Sequence, residues 1–223
     1  MWENGMSNAV VVRQYRPEDR MQVREIACDT ADAGKPIDRL FRDRQTVADW
    51  LTHYYTEHEP QSLWVAQCDR IVAGYLTGCL DTKRCARITV REVLPKAVAG
   101  AVARGALWHM EAWRLFLGLV RTALAGGVPK ADLDKYPGHL HINLRPDFRG
   151  RKIGSQLVER FLRQVEEAGG PGIHVTTLGH NHAGRRFFES MGFRLLHEQP
   201  LILPDGRWYR RTSTTVYGWT KEN

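Results

Sequence analysis

A basic loop with two glycines carries the clearest chemistry in this sequence. The loop is Arg149-Gly150-Arg151-Lys152-Ile153-Gly154. It follows an alternating extended run that Pro146 ends, and apolar residues recur at helical spacing after it, as far as Leu162. Backbone N–H groups of such a loop and the positive end of the following helix attract a phosphate, and the Arg and Lys side chains add positive charge. The segment therefore predicts a phosphate site between a strand and a helix.

The extended run before the loop carries a second set of chemical groups. Alternation predicts one polar face and one apolar face: His139, His141 and Asn143 against Leu140, Ile142 and Leu144. The apolar face should meet the core, so the polar face should look into a cleft. His141 lies mid-face, and the ordinary imidazole pKa of about 6.5 suits a base that deprotonates an ammonium directly or through water. A histidine satisfied by a neighbouring element is the alternative. Asp134 and His139 are the other candidate bases, because residues 134–138 lead into the same strand.

Composition limits the class of protein and the ligand. The chain has 223 residues, 43% of them hydrophobic and 26% charged, which is typical of one globular domain over residues 1–223. The net charge of +7 is spread along the chain, which favours a polyanionic small ligand over nucleic acid. No apolar run is long enough to span a membrane, and the first residues do not resemble a signal peptide. Four cysteines without a C-x-x-C pair indicate free thiols in a reducing cytoplasm.

The order of predicted elements is β-α-α-β-β, a helical insert, then β-α-β-α-β-β, an α/β arrangement. The insert spans about residues 82–138 and is rich in Ala, Leu, Val, Phe and Trp. Such amphipathic helices can pack on the core, form a homodimer or lie on a membrane surface, and we expect packing.

This order and two motifs resemble the GNAT (Gcn5-related) N-acetyltransferases over nearly the whole chain apart from the insert. Leu144-Arg145-Pro146 corresponds to the family's V-x-P strand end, and Arg149–Gly154 to its R/Q-x-x-G-x-G/A loop. Asn181–Phe193 corresponds to N-x-x-A-x-x-F-Y-E-x-x-G-F. The resemblance implies a mixed, mostly antiparallel sheet of about seven strands, splayed between strands 4 and 5 and flanked by helices. The stretch YPGHLHINL and the insert are most similar to the branch of the C-terminal domain of eukaryotic O-GlcNAcases.

The resemblance also implies an activity: transfer of an acetyl group from acetyl-CoA to a primary amine of a small molecule, with an amino sugar as one candidate. The amine would attack directly through a tetrahedral intermediate. A backbone N–H near Leu144 would stabilise the oxyanion, a contribution of roughly 3–4 kcal/mol for one donor. The expected acetyl-CoA contacts are Ile142, Asn143, Leu144, Arg149, Gly150, Arg151, Lys152, Ile153, Gly154, Ser155, Asn181, Phe187 and Phe188. A non-catalytic acyl-CoA-binding module and a protein N-acetyltransferase are the alternatives.

The sequence departs from the family pattern at two positions. Lys152 replaces the middle glycine of the loop, which is tolerable if its φ stays negative. Phe188 replaces the tyrosine often assigned as the acid that protonates the departing thiolate. A thiol pKa near 8.5 makes the thiolate a fair leaving group without an acid. Otherwise Tyr209, Tyr217 or His180 could serve.

Two H-x-H pairs, His139 with His141 and His180 with His182, could in principle bind zinc. Neutral histidines in a cleft are common, and the resemblance assigns this region to coenzyme A and substrate. We therefore expect no metal.

Overall fold

The computed structural model describes residues 9–127, 131–205 and 208–221. Within these ranges the strands are β1 (Val10–Gln14), β2 (Leu63–Cys68), β3 (Ile71–Cys79), β4 (Gly138–Leu144), β5 (Gly172–Leu178), β6 (Arg194–Asp205) and β7 (Trp208–Thr220). The α-helices are α1 (Arg20–Thr30), α2 (Arg44–Glu57), α3 (Thr82–Ile88), α4 (Leu94–Ala103), α5 (Met110–Leu124), α6 (Ile153–Glu167) and α7 (His182–Ser190).

The seven strands form one mixed sheet in the order β1-β2-β3-β4-β5-β7-β6. Every neighbouring pair is antiparallel except β4 and β5, which are parallel. The parallel pairing covers only Gly138 with Ile173 and His139 with His174, at the start of both strands. Beyond these pairs the strands separate. The predicted seven-stranded sheet with its splay between strands 4 and 5 is therefore confirmed.

Helices cover both faces of the sheet. Helix α6 packs its apolar residues, among them Leu157 and Phe161, on one face. Gly78 of β3 permits this contact, because a Cβ there would lie 2.1 Å from the Phe161 ring. Helices α1 and α2 cover the opposite face, where Ile26 and Tyr55 pack with Tyr75 of β3. The polar face of β4 lies on this second side.

The helices of the insert pack on neighbouring elements, as expected. Helix α4 contacts α2, and α5 contacts β6. The α5–β6 contact is close: Thr122 Oγ1 accepts a hydrogen bond of 2.8 Å from the Ile202 N–H, and a Cβ on Gly118 would lie 2.8 Å from the Ile202 carbonyl oxygen. The outer face of the insert remains apolar and exposed, with Trp108 and Phe116 as examples. Among the described helices, none has the length and apolar character needed to cross a bilayer.

The residues after Glu198 extend strand β6 to Asp205. Pro200 and Pro204 both lie inside it and pair with Ser213 and Tyr209 of β7. Strand β6 lies at the edge of the sheet. A proline whose missing N–H would face the free side of this strand therefore removes no hydrogen bond between strands. The extension gives α5 the surface on which it packs.

Candidate active site

The separation of β4 from β5 opens a cleft of about 520 Å³. One wall is residues 141–144 of β4, and the other is residues 175–178 of β5. The glycine loop contributes Arg149, Gly150 and Gly154, and helix α7 contributes Phe187 and Phe188. The two motifs found in the sequence therefore meet around one cavity.

The glycine loop leaves a run of backbone donors free. Helix α6 starts at Ile153, and no side chain caps its N-terminus. Its first bond to the preceding loop runs from the Gln156 N–H to the Lys152 carbonyl oxygen. Within the described residues, the N–H groups from Gly150 to Ser155 meet no acceptor. Six consecutive donors at a helix N-terminus form a binding site for an anionic group.

Lys152 does not have the negative φ that we expected for a side chain at this position. Its φ is +59°, in the left-handed region, and Gly150 beside it has a φ of +75°. The loop therefore imposes a glycine-like conformation on Lys152, and a non-glycine residue there costs about 1–2 kcal/mol. The lysine side chain is exposed.

Arg149 spans the mouth of the cleft. Its Nε donates to the Leu144 carbonyl oxygen at 3.3 Å, and its guanidinium donates to the Gly34 carbonyl oxygen at 3.2 Å. Gly34 lies in the connection between α1 and α2 and has a φ of +85°. One cation therefore links the end of β4 to that connection. Arg151 turns away and lies over the Phe148 ring, 5.2 Å from its centre.

The second motif shapes the opposite side of the cleft. The Asn181 side chain accepts a hydrogen bond of 3.0 Å from the Gly184 N–H and so caps α7. The Phe187 ring lies against Gly154, where a Cβ would be only 3.2 Å from the ring. Gly154 thus lets α6 and α7 approach, which explains the glycine at this place in the motif.

The backbone of Leu144 points into the cleft. The Arg145 N–H donates to the Ala73 carbonyl oxygen of β3 at 2.9 Å. Because N–H groups alternate along a strand, those of Ile142 and Leu144 point the other way, towards β5. The pairing with β5 has already ended at His139, so these two donors face the cleft. This is the geometry that an oxyanion donor requires.

The three polar residues of β4 have different environments, which alternation could not distinguish. His139 is hydrogen-bonded to Tyr55 Oη at 2.8 Å through Nε2 and to Thr82 Oγ1 at 2.7 Å through Nδ1. The Asn143 amide is hydrogen-bonded to Thr30 Oγ1 and to Tyr75 Oη, both at 2.9 Å. Helices α1 and α2 thus engage both of these side chains. His139 has no free nitrogen with which to act as a base.

His141 differs from its neighbours. It lines the cleft, its side chain is exposed there, and within the described residues its ring nitrogens have no hydrogen-bond partner. The Tyr55 and His139 rings meet it edge-on, at 6.0 and 5.6 Å between centres. The protein surrounding this recessed ring lowers the pKa of His141 to about 4, and His174 adds a smaller repulsive contribution. His141 is therefore neutral at pH 7, and its lowered pKa makes it a weaker base than an ordinary imidazole.

Asp134 is not brought to the cleft. Its carboxylate is 90% exposed and lies 3.0 Å from the Lys83 ammonium. Asp134 does not line the cavity that contains His141. The position of Asp134 thus gives no support to the expectation that it acts as a base.

The candidate acids are also engaged elsewhere. The Tyr217 hydroxyl accepts from Arg185 Nε at 3.2 Å and donates to Glu189 at 2.9 Å, and burial raises its pKa. The Tyr209 hydroxyl donates to the Arg114 carbonyl oxygen, and His180 Nδ1 is hydrogen-bonded to Thr212 Oγ1. Phe188 is 5% exposed and packs with Phe187 and Phe193. Tyr75 is the one tyrosine among the described residues that line the cleft, and its hydroxyl accepts a hydrogen bond from the Asn143 amide.

Sequence reasoning missed Thr77, Tyr55 and Thr82. Thr77 pairs with His141 across the β3–β4 ladder, whereas Tyr55 and Thr82 hold His139. The periodicity of β3 places Thr77 on the same face as Tyr75, but only the register identifies His141 as its neighbour. No local signal marked Tyr55 or Thr82.

Comparison with known proteins agrees with this geometry. Residues 116–195 match the family described as Acetyltransferase (GNAT) domain, and both motifs lie within that span. The chain is similar to the crystal structure of SsHAT, with 27% identity and a TM-score of 0.71 over 95% of this chain and 98% of that one.

Two more distant structures share the fold. YncA from Salmonella typhimurium, solved with its cofactor acetyl-CoA, is 15% identical with a TM-score of 0.58, over 96% of this chain and 94% of that one. Polyamine N-acetyltransferase from Drosophila melanogaster, which forms N-acetylagmatine, is 15% identical with a TM-score of 0.60, over 95% and 100%. These two likenesses concern the architecture of the sheet and its helices.

Proposed function

We propose that this chain is a GNAT acetyltransferase that uses acetyl-CoA and transfers the acetyl group to the primary amine of a small molecule. One observation carries the proposal. The parallel pairing of β4 and β5 stops at His139 and His174, and the resulting cleft joins the free donors of the glycine loop to an unpaired His141. A long ligand with an anionic end and a reactive end fits such an arrangement.

The residues of the loop would hold coenzyme A. We assign the pyrophosphate to the N–H groups from Gly150 to Ser155, with Arg149, Arg151 and Lys152 supplying charge. The pantetheine arm would follow Ile142, Asn143 and Leu144 into the splay, bounded by Asn181, Phe187 and Phe188. Arg149 would have to exchange its contacts with Leu144 and Gly34 for the phosphate, because it bridges the mouth of the cleft.

The inner part of the cleft contains the groups that would take part in the reaction. His141 would take the proton of the ammonium, directly or through water, and the free amine would attack the thioester carbonyl. The N–H of Leu144 would stabilise the oxyanion of the tetrahedral intermediate. The thiolate would leave without an acid, consistent with Phe188 at the tyrosine position. The residues lining the cleft include no cysteine, which supports direct attack rather than a thioester on the enzyme.

We place the acceptor in an adjoining cavity of about 600 Å³, which shares Ala33, Asn181 and Ala183 with the cleft. Polar side chains line this cavity, among them Asp32, Asp205 and Arg210. Its carboxylates, Asp32 and Asp205, are balanced by Lys35 and Arg210, and this mixed polarity suits a hydroxylated amine such as an amino sugar. The resemblance to the O-GlcNAcase branch stays a prediction, and the choice of acceptor rests on the cavity alone.

The test is release of free thiol when acetyl-CoA is mixed with a panel of amines, including amino sugars, a polyamine and a basic peptide. The proposal expects repeated turnover with a small amine and little with the peptide. Turnover with the basic peptide alone would indicate that the acceptor is a protein and not a small molecule. No turnover with any amine, together with acetyl-CoA binding, would favour a non-catalytic module. No change in melting temperature at millimolar acetyl-CoA would contradict coenzyme binding itself.

A further inference from the structure

Two thiols and an imidazole converge where the helical insert leaves the sheet and where it returns. The residues are Cys79, Cys85 and His139, and their ligand atoms all lie within 4.8 Å of one another. Cys79 ends β3, Cys85 lies in α3 at the beginning of the insert, and His139 lies at the beginning of β4. Both cysteines are free thiols and buried. None of the three residues lines the cleft, and the proposed acetyl transfer does not use either thiol.

We propose that these three residues bind a zinc ion or a similar thiophilic divalent cation. Thiolate and imidazole ligands select such metals over magnesium or calcium, which prefer oxygen. Tetrahedral zinc, with Zn–S near 2.3 Å and Zn–N near 2.0–2.1 Å, places its ligand atoms roughly 3.5–3.8 Å apart. The atoms of this cluster therefore need to close by about 1 Å or less to reach that geometry.

The surroundings of His139 suit a metal ligand. A hydroxyl lies at each ring nitrogen, Tyr55 Oη at Nε2 and Thr82 Oγ1 at Nδ1. Whichever nitrogen binds the metal, the other keeps a hydrogen-bond partner that fixes the orientation of the ring.

The charge balance of the site favours a dication. Two thiolates alone would be costly in this buried position, whereas two thiolates, a neutral imidazole and one divalent cation sum to zero. The sulfurs of Cys79 and Cys85 lie within 4.8 Å of each other and of a ring nitrogen of His139. Other contacts of the sulfurs are weak: Cys79 Sγ lies 4.0 Å from Tyr54 Oη, and Cys85 Sγ lies 3.9 Å from Thr89 Oγ1.

A metal here would join three elements at one point. It would fix the first helix of the insert to the sheet and hold the ring of His139, whose neighbour at 5.6 Å is His141. The site is separate from both H-x-H pairs considered above. In His139-x-His141 only the first histidine takes part, and His180 is hydrogen-bonded to Thr212 instead.

Cobalt titration of the full-length chain tests the proposal. We expect one equivalent of Co²⁺ to bind, with thiolate-to-metal charge-transfer absorption and the d–d bands of tetrahedral coordination, and one equivalent of Zn²⁺ to abolish both. Cys79→Ser and Cys85→Ser should each lower Zn²⁺ affinity by more than about 100-fold, and Thr82→Val by about 10-fold. Cys68→Ser is the matched control, because Cys68 is also buried at the end of a strand but lies outside the cluster.

Two outcomes would overturn the proposal. One is absence of stoichiometric Co²⁺ binding by the wild-type chain, or binding without thiolate absorption. The other is an equal loss of affinity in Cys68→Ser and Cys79→Ser. Circular dichroism checks that each variant is folded. If the serine variants do not fold, the wild-type spectrum, its stoichiometry and a Zn²⁺-dependent rise in melting temperature decide the question, and they do not depend on acetyl transfer.

Discussion

Thr77 and His141 pair directly across β3 and β4, and neither side chain has a hydrogen-bond partner within the described residues. Thr77 is fully buried, whereas His141 opens to the cleft. Side chains so paired on one face of a sheet have their Cβ atoms about 4.5–5.5 Å apart. The pair places an unsatisfied buried hydroxyl beside the candidate base.

Replacing Thr77 by valine tests whether its hydroxyl is unpaired in the free protein. Valine has the same shape, and removing an unsatisfied buried hydroxyl should leave the free energy of unfolding unchanged or raise it by up to about 1 kcal/mol. Thr30→Val is the control, because Thr30 Oγ1 donates to the Ile26 carbonyl oxygen at 2.6 Å and should lose about 1–2 kcal/mol. Urea unfolding measures both variants. A larger loss for Thr77→Val than for Thr30→Val would show that Thr77 has a strong partner.

His141 should make the enzyme active well below pH 6.5. Its pKa is lowered to about 4, so it stays neutral, and able to accept a proton, until the pH approaches that value. An acceptor amine of low pKa keeps the titration of the substrate out of the measured range. In the pH profile of kcat/KM, activity should then fall on the acidic side near pH 4. His141→Gln should abolish this fall and lower the rate by about 10²–10⁴-fold. A limb at pH 6.5 that survives in His141→Gln would assign the base elsewhere.

Phe188→Tyr tests whether the thiolate needs an acid. Phe188 lines the cleft, so the added hydroxyl would lie beside the proposed path of the pantetheine arm. If the thiolate leaves unassisted, kcat should change by less than about threefold, far below the 10²–10⁴-fold typical of general acid catalysis. Phe187→Tyr serves as the neighbouring control on the same helix. A gain of 100-fold in kcat for Phe188→Tyr alone would show that the missing acid limits this protein.

Lys152 provides a test of strain in the glycine loop. Lys152→Gly and Lys152→Ala both remove the charge, but only glycine adopts a φ of +59° without penalty. We therefore expect Lys152→Gly to be more stable to urea than Lys152→Ala by about 1 kcal/mol. Both variants should bind acetyl-CoA with similarly reduced affinity, since both lack the ammonium. Equal stabilities would mean that the loop relaxes when the side chain is shortened.

Local patterns in the sequence predicted the elements and the two motifs, because strand alternation, helical spacing and glycine loops are encoded by neighbouring residues. The faces of β4 were predicted correctly for the same reason. The hydrogen bonds of His139 and Asn143 could not be predicted, because their partners, Tyr55 of α2 and Thr30 of α1, are distant in sequence.

The errors have tertiary causes as well. Pro200 and Pro204 lie inside β6, because an edge strand tolerates proline on its free side. The φ of Lys152 follows from the way the loop enters α6, and residue type alone does not reveal it. Cys79, Cys85 and His139 become neighbours only after the insert has folded back on the sheet.

Backbone amide chemical shifts during an acetyl-CoA titration test the central claim most directly. If the pyrophosphate binds the glycine loop and the thioester lies against β4, the largest changes should occur at the N–H groups from Gly150 to Ser155 and at Leu144. Exposed amides on the outer face of α5 serve as an internal reference and should stay unchanged. Chemical-shift changes that saturate at other residues, while the amides of residues 150–155 and of Leu144 stay unaffected, would contradict the proposed coenzyme site.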